Sequence, residues 1–507
     1  MSEIGASQYV SCPVYCVDLM TTLETNTTKK PADKSSTTIC DLSKIDGRLH
    51  FIGIGGIGMS ALARLLLHEG KAVSGSDKQS NSVTDELATL GAKISIGHKA
   101  ENAIGAGAIV VSTAISTDNP ELAWATANNR PIFHRSQILA ALAKGKKLVA
   151  VSGTHGKTTT TAMIGKVLID AGLDPGIVLG GIFPLLHSNC RAGNSQYFVA
   201  EADESDGTHK TLAADIAVVT NVEADHMENY GHDIKQIFAA MTQFANQAKQ
   251  VVLCLDDPGC RSILPELKNN MIGYGKKDKA KTHSTPKVIY SFEETSTSTI
   301  KIYKNNEVLG TITLSVPGMH NKYNATAAVA TGVELGIDFK TIAASLATFA
   351  NVDRRFQIIG QAQDILIVDD YAHHPTEVMA VLEAARQYIA QGQFKAQRLV
   401  AVFQPHQPGR LKDLWGEFCQ AFTNCDLLLV ADVYIARGTA IAGVDSKRFA
   451  TEVNHKNCIY LSGPTSTLSK QVIDILKPGD LVVTIGAGDI TNIGPALLQL
   501  LQHGRTS

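Results

Sequence analysis

The segment KLVAVSGTHGKTTTTAMIGKVLIDAG, residues 147–172, constrains the fold of this chain more than any other. An apolar run ends at Ser152, a glycine–lysine–threonine turn follows, and helix-compatible sequence begins at once. That order reads as strand, phosphate-binding turn and helix. Backbone N–H groups in such a turn, together with the helix N-terminus, draw an anion to it. Gly153, Thr154, His155, Gly156, Lys157, Thr158 and Thr159 are therefore candidate ATP ligands. Lys157 is placed to reach the outer phosphates and Thr158 to hold Mg²⁺. The common form of this loop has glycine six residues before the lysine. Here that position is Val151, so the loop is a shortened variant.

Acidic residues at the ends of later strands suit the same chemistry. Glu201 closes the apolar run Tyr197–Ala200, and an acid there can hold Mg²⁺ beside bound phosphates. His226 ends the sequence Asn221-Val222-Glu223-Ala224-Asp225-His226, which follows the next strand. Open α/β sheets bind ligands at the carboxyl ends of their strands, where Lys157, Glu201 and His226 all fall.

A second glycine turn lies upstream. Gly53-Ile54-Gly55-Gly56-Ile57-Gly58 sits between an apolar strand and a helix with apolar residues at Met59, Leu62, Leu65 and Leu66. Glycines there let the backbone approach a diphosphate, and Asp77, 19 residues beyond Gly58, suits a ribose hydroxyl. NAD is the usual ligand of this pattern, but any nucleoside diphosphate satisfies the same physics.

Strand–helix alternation restarts near Arg48, Lys147 and Arg355. At ~150 residues per domain, 507 residues also suggest three domains. The expected fold is α/β: a Rossmann-like N-terminal domain, a central P-loop ATPase-like domain and a Rossmann-like C-terminal domain. Residues 276–312 carry polar, β-rich segments with a turn at Asn305-Asn306, which predicts an antiparallel extension of the central domain. The boundaries are read as a disordered extension over 1–45, then domains over 46–146, 147–353 and 354–507. In the last of these, Arg354-Arg355 suits charge on a transferring phosphoryl group. The run Asp369-Asp370-Tyr371-Ala372-His373-His374 reads either as a substrate-positioning turn or as a helix cap, with Thr376 and Glu377 nearby.

A net charge of -2 excludes a strongly basic nucleic-acid binder by composition. No run approaches the ~20 apolar residues of a membrane helix, and no Lys or Arg precedes Lys29 to make a signal peptide. Nine cysteines with no C-x-x-C spacing argue against a disulfide framework or structural zinc, and for reduced thiols in the cytoplasm. From the residues alone, the chain is a Mg²⁺-dependent ATP user with a second nucleotide-diphosphate site; ligase and kinase both remain open.

Taken together, GTHGKTTTT, EADESD, TNVEADHM, PGMHNKYNA, DRRFQ and DDYAHHPTEV resemble the Mur ligases of peptidoglycan synthesis, over about Arg48 to Ile493. The resemblance implies that the first glycine loop (Gly53, Gly55, Gly56, Gly58, Asp77) takes a UDP-sugar, with Ser112 and Thr113 beside it. It implies ATP contacts at His320, Asn321 and Asn324, and a γ-phosphate contact at Arg355. It makes Glu201 and His226 ligands of a second metal ion, with Thr158 on the first. His374 then faces the reaction centre. The implied reaction activates the lactyl carboxylate of UDP-N-acetylmuramate as an acyl phosphate, which the amine of L-alanine attacks. The segment Phe403-Gln404-Pro405-His406 favours this single-amino-acid branch over the family's tripeptide-recycling ligase. The intact Lys157, Thr158, Glu201, His226 and Arg355 argue against a non-catalytic nucleotide-binding regulator. Two segments depart from the family pattern. After FQPH the family continues Arg, aromatic, Thr or Ser, Arg, whereas this chain reads Gln407-Pro408-Gly409-Arg410; and Ala436-Arg437-Gly438 stands where Ala, Gly and Glu are usual. Arg410 is the one basic residue kept, available for a substrate carboxylate or a phosphate. Oligomeric state has no signature in the sequence.

Overall fold

The computed structural model describes residues 40–277, 288–436 and 439–503. The expected disordered extension over 1–45 therefore lies mostly outside the described residues. From Cys40 the chain is packed: Cys40 is buried, and a short 3₁₀ turn at Leu42–Lys44 is capped by the Asp41 carboxylate.

Three sheets follow in chain order. The first has five parallel strands in the order Lys93–Ile96, Val73–Asp77, Arg48–Ile52, Ala106–Val111 and Ile132–His134. Arg48–Ile52 lies between the strands that follow it on either side, so the chain reverses direction across the sheet at that strand. The crevice at such a reversal is where open α/β sheets take ligands, and the first glycine loop leaves from it.

The second sheet has ten strands. Its parallel centre runs Asn270–Lys276, Gln250–Cys254, Ile216–Val219, Lys147–Ser152, Tyr197–Glu201 and Gly176–Phe183. Ser188–Arg191 pairs antiparallel at one edge. At the other edge Val288–Glu294, Thr299–Lys304 and Glu307–Thr313 form the antiparallel extension expected from the sequence. Its hairpin turns at Asn305 and Asn306, whose φ angles of 52° and 72° place both in the left-handed region that this turn needs.

The third sheet has six strands, in the order Gln357–Ala362, Ile365–Asp370, Asp480–Ile485, Arg398–Phe403, Leu427–Val430 and Cys458–Tyr460, and only the first pair is antiparallel. Strand periodicity is visible in its core: Leu399, Ala401 and Phe403 pack on one face, Val400 and Val402 on the other. The first two sheets instead share one continuous apolar core, from Cys40 to Val352. Within it the helix Lys157–Asp170 has every residue from Thr158 to Leu168 buried. A helix that meets protein all round fixes the position of the loop that starts it.

The first domain also buries a charge. Glu121 accepts hydrogen bonds from Ser76 Oγ (2.6 Å), Asn102 Nδ2 (2.7 Å) and the Lys99 amide (3.2 Å), and lies 3.4 Å from His50 Nε2. Burial alone raises a carboxyl, but His50, Ser76 and Asn102 outweigh it and bring Glu121 down to about 2. A depressed folded-state value stabilises the fold above the ordinary carboxyl range, and that stability is lost as pH falls toward about 2. Glu121→Ala is expected to cost ~3 kcal/mol at pH 7, with the difference from the parent shrinking as pH falls below ~4. Urea unfolding across that pH range checks it.

Candidate active site

The second glycine turn is built so that only glycine fits where the backbone bends hardest. Gly153 has φ of 133°, and a Cβ there would lie 2.2 Å from Thr220 Oγ1. Gly156 caps the helix Lys157–Asp170 with φ of 80°, and its Cβ would lie 2.7 Å from Asn324 Oδ1. The loop is braced from the next strand. Thr220 Oγ1 donates to the His155 carbonyl (2.6 Å), and Asn221 Oδ1 accepts from the His155 amide (2.7 Å). Sequence reasoning gave Thr220 and Asn221 no role; their place just beyond a strand end was the available signal.

Lys157 Nζ donates to the Gly153 carbonyl (2.7 Å) and the Thr154 carbonyl (3.0 Å), and pairs with Glu204 at 2.8 Å. Burial works against its charge, but Glu204, Asp203 and Glu201 outweigh burial and hold the ammonium above its ordinary value. Lys157 thus stays cationic over the loop. Glu201 ends the strand that lies alongside Lys147–Ser152, with Val151 and Glu201 in register. Its carboxylate accepts from the Gly180 amide (2.7 Å), and a Cβ on Gly180 would collide with it at 2.7 Å. His226, in the left-handed region at φ of 51°, faces Asp225 (3.7 Å), Glu228 (3.8 Å) and Arg410 Nη2 (3.5 Å).

The C-terminal sheet supplies the facing wall. Arg355 lies 3.9 Å from Glu377 and packs its guanidinium 5.3 Å from the Tyr371 ring centroid. Its neighbour Arg354 also packs on the Tyr371 ring, at 4.8 Å, and donates to Asp369 (3.2 Å) and the Gly486 carbonyl (2.5 Å). His374 is the helix cap that the sequence allowed. Its Nδ1 accepts from the Thr376 amide (3.4 Å), and Glu377 closes the box by accepting from the His374 amide (3.3 Å). His155 of the phosphate loop reaches across to Glu377 at 3.1 Å and lies 3.5 Å from Glu223. Burial opposes a charged imidazole, yet these two carboxylates lift His155 to about 9.

Arg410, expected to be available for a substrate carboxylate or a phosphate, is paired within the protein. It is not open toward a ligand: Nε and Nη2 donate to Asp225 Oδ1 at 3.0 and 2.9 Å, with both side chains 7% exposed. Burial would raise Asp225, and Arg410 with the nearby histidines holds it well below the usual carboxylate range. The buried acid needs a counter-cation, and Arg410 lies nearest, at 2.9 Å. Of the second altered segment, Ala436 is exposed and residues 437–438 lie outside the described residues. The loop between Phe403 and Pro408 is tied to that segment by the Gln407 amide, which donates to the Tyr434 carbonyl (2.9 Å).

These walls enclose a cavity of about 460 Å³. His155, Gly156, Thr159, His320, Asn321, Asn324 and Arg355 line it, as do Asp256, Asp370 and Glu377, which the sequence had not singled out for it. It is large enough for a nucleotide, and it lies between the phosphate loop and the third sheet.

At the first glycine loop, Asp77, expected to suit a ribose hydroxyl, accepts from the Gly55 amide at 2.9 Å and so also shapes the turn. Ser112 and Thr113 follow the strand Ala106–Val111 at the same edge. Their turn continues to Ile115, whose side chain lies 3.3 Å from where a Gly53 Cβ would sit. Arg135 lies against Gly58 and binds Asp206 (2.5 Å) and Asp203 (3.3 Å), beside Lys157.

Comparison with known proteins covers all three sheets. Three family models match in succession: "Mur ligase family, catalytic domain" over residues 48–147, "Mur ligase middle domain" over 151–332 and "Mur ligase, glutamate ligase domain" over 354–488. The UDP-N-acetylmuramate–L-alanine ligase of Pelobacter propionicus is 41% identical over 461 residues, 90% of this chain and 98% of the relative. The protein of the same name from Gloeobacter violaceus is 42% identical over 452 residues, 89% of this chain and 95% of the relative. Among solved structures, UDP-N-acetylmuramate–alanine ligase from Thermotoga maritima superposes with a TM-score of 0.76 at 28% identity, covering 90% of this chain and 100% of that one. A murein peptide ligase from Psychrobacter arcticus shares the fold, with a TM-score of 0.68 at 22% identity over 91% of this chain and 100% of that one.

Proposed function

The chain belongs to the Mur ligase family, and from that premise we propose that it joins L-alanine to the lactyl carboxylate of UDP-N-acetylmuramate at the expense of ATP, in peptidoglycan precursor synthesis. The observation that carries this reading is the cavity between the phosphate loop and the wall formed by Arg355, Asp370 and Glu377, in a chain that matches L-alanine ligases almost end to end. Residues 46–146 then form the UDP-sugar domain, 147–353 the ATP domain and 354–507 the amino-acid domain. No described helix is long and apolar enough to cross a membrane, which is consistent with work on soluble precursors in the cytoplasm.

The chemistry follows from the placement of charge. A carboxylate is a poor electrophile, so one of its oxygens first takes the γ-phosphoryl group of ATP, and ADP leaves. The amine nitrogen of L-alanine then attacks the acyl carbon. The tetrahedral adduct expels phosphate, and the amine loses a proton. Loop amides and Lys157 hold the phosphates, and Arg355 neutralises charge on the transferring group from the opposite domain. Thr158 and Glu201 are oxygen donors on adjacent elements, the kind of set Mg²⁺ prefers, and Gly180 leaves the room that the Glu201 carboxylate occupies. We assign Mg²⁺ to them, with His226 at the margin of that site. When bound, the ion would supply positive charge to the phosphoryl oxygens.

Phosphate release from ATP, measured with UDP-N-acetylmuramate and a panel of amino acids, tests the reading. L-alanine is expected to give the highest kcat/KM, with measurable use of glycine and L-serine, because one methylene discriminates by only ~1–3 kcal/mol. A clear preference for glycine or L-serine would overturn the choice of amino acid, and release without any amino-acid dependence would overturn the ligase reading. Glu201→Gln is expected to lower kcat by at least ~10²-fold, the scale of a lost electrostatic stabiliser, and to raise the Mg²⁺ needed for half-maximal rate. Titrating Mg²⁺ at saturating ATP measures both.

A further inference from the structure

Three side chains outside the expected Mg²⁺ pair converge at the seam between the second and third sheets. His155 comes from the phosphate loop, Glu223 from the loop after Ile216–Val219, and His374 from the start of the helix Pro375–Ala390. One ligand atom from each lies within 4.8 Å of the other two. His155 Nε2 is 3.5 Å from Glu223 Oε2, and His374 Nδ1 is 3.9 Å from it. The imidazoles lie close together, their centroids 4.7 Å apart.

The hydrogen bonds around this trio define which atoms are free. His155 Nδ1 is engaged by Glu377 at 3.1 Å, and His374 Nδ1 by the Thr376 amide at 3.4 Å. Thr376 Oγ1 donates to Glu223 Oε2 at 2.8 Å. That leaves Nε2 of both histidines, each buried and each without a hydrogen-bond partner. The His374 side chain is only 6% exposed. A buried imidazole nitrogen without a partner is costly. His155, fixed through Nδ1 by Glu377, is held as proteins hold a metal-ligating histidine, with Glu377 in the role of the orienting carboxylate.

We propose that His155, Glu223 and His374 form a binding site for one divalent transition-metal ion of the zinc type, separate from the Mg²⁺ site at Thr158 and Glu201. Two imidazoles and a carboxylate favour zinc-like ions over Mg²⁺, which prefers oxygen donors. The ion would tie the phosphate loop to the helix start of the third sheet. The site stands on these three side chains alone and does not depend on the ligase reading.

Co²⁺ titration of the full-length protein, freed of other metals, tests the proposal without recourse to activity. One equivalent is expected to give the intense visible absorption of four-coordinate Co²⁺, removed by stoichiometric Zn²⁺ and untouched by excess Mg²⁺. Glu223→Gln and His374→Gln are each expected to weaken Co²⁺ binding at least ~10-fold, while Glu201→Gln leaves it within ~2-fold. Circular dichroism checks that each variant folds; should either fail to, the Mg²⁺ and Zn²⁺ competitions on the parent protein decide. No absorption band, a band displaced by Mg²⁺, or a band lost in Glu201→Gln and kept in Glu223→Gln would overturn the assignment.

Discussion

Lys157→Met is expected to lower kcat/KM at least ~10³-fold, the scale of a cation lost from a phosphoryl-transfer site, while UDP-N-acetylmuramate binding stays within ~2-fold. Lys157 Nζ is held by two loop carbonyls and Glu204, and the surrounding carboxylates keep it charged. The expected UDP-sugar loop at Gly53–Gly58 belongs to another sheet. The substitution also strands Glu204, which is 5% exposed, without its counter-charge. Losing one partner of a buried pair costs ~3–5 kcal/mol, so thermal stability should fall too. The double variant Lys157→Met/Glu204→Gln separates the two effects: stability should return and activity should not. Recovery of activity in the double variant would mean that Lys157 serves the fold and not the phosphates. Steady-state phosphate release, calorimetric binding of UDP-N-acetylmuramate and thermal melts measure the three quantities.

The second large effect is expected at the seam between the second and third sheets. Arg410→Met leaves Asp225 buried without its guanidinium partner, which at ~3–5 kcal/mol corresponds to a ~10²- to 10⁴-fold loss in the population that joins these two sheets and in kcat/KM. Adding Asp225→Asn removes the stranded charge and should restore most of the loss. If Arg410 instead grips the carboxylate of the amino acid, Arg410→Met raises KM for L-alanine alone, and Asp225→Asn restores nothing. Initial rates with each substrate varied in turn, for both single variants and the double, distinguish the two outcomes.

These two residues also mark what the sequence discloses and what it withholds. Lys157 was legible because a phosphate loop is local: a strand, two constrained glycines and a helix start within one short segment. The hairpin at Asn305-Asn306 was legible for the same reason, since asparagine is one of the few residues at ease with positive φ. The Arg410–Asp225 pair joins residues 185 apart in the chain, and no local pattern announces it. Sequence reasoning left Arg410 available to a ligand; the demand of a buried acid for a counter-cation is visible only once the fold has buried it. Asp77 shows an intermediate case. Its position after the second strand was read correctly, but its hydrogen bond to the Gly55 amide depends on how the glycine turn closes. Short strands were the least legible elements: Ile132–His134 and Cys458–Tyr460 are each three residues long, too brief for a period of two to register.

Arg135 joins the first glycine loop to the acidic run after Glu201 through a single guanidinium. It lies against Gly58 at one end and binds Asp203 and Asp206, neighbours of Lys157, at the other. Charge brought to the Gly53–Gly58 loop therefore competes with Asp203 for the same cation, and Asp203 is one of the carboxylates that act on Lys157, so a ligand at either loop is expected to be felt at the other. Thermodynamic reciprocity then fixes a quantitative relation: whatever factor a UDP-sugar imposes on the dissociation constant of ATP, ATP imposes on that of the UDP-sugar. Arg135→Ala should move that shared factor toward one from both directions at once.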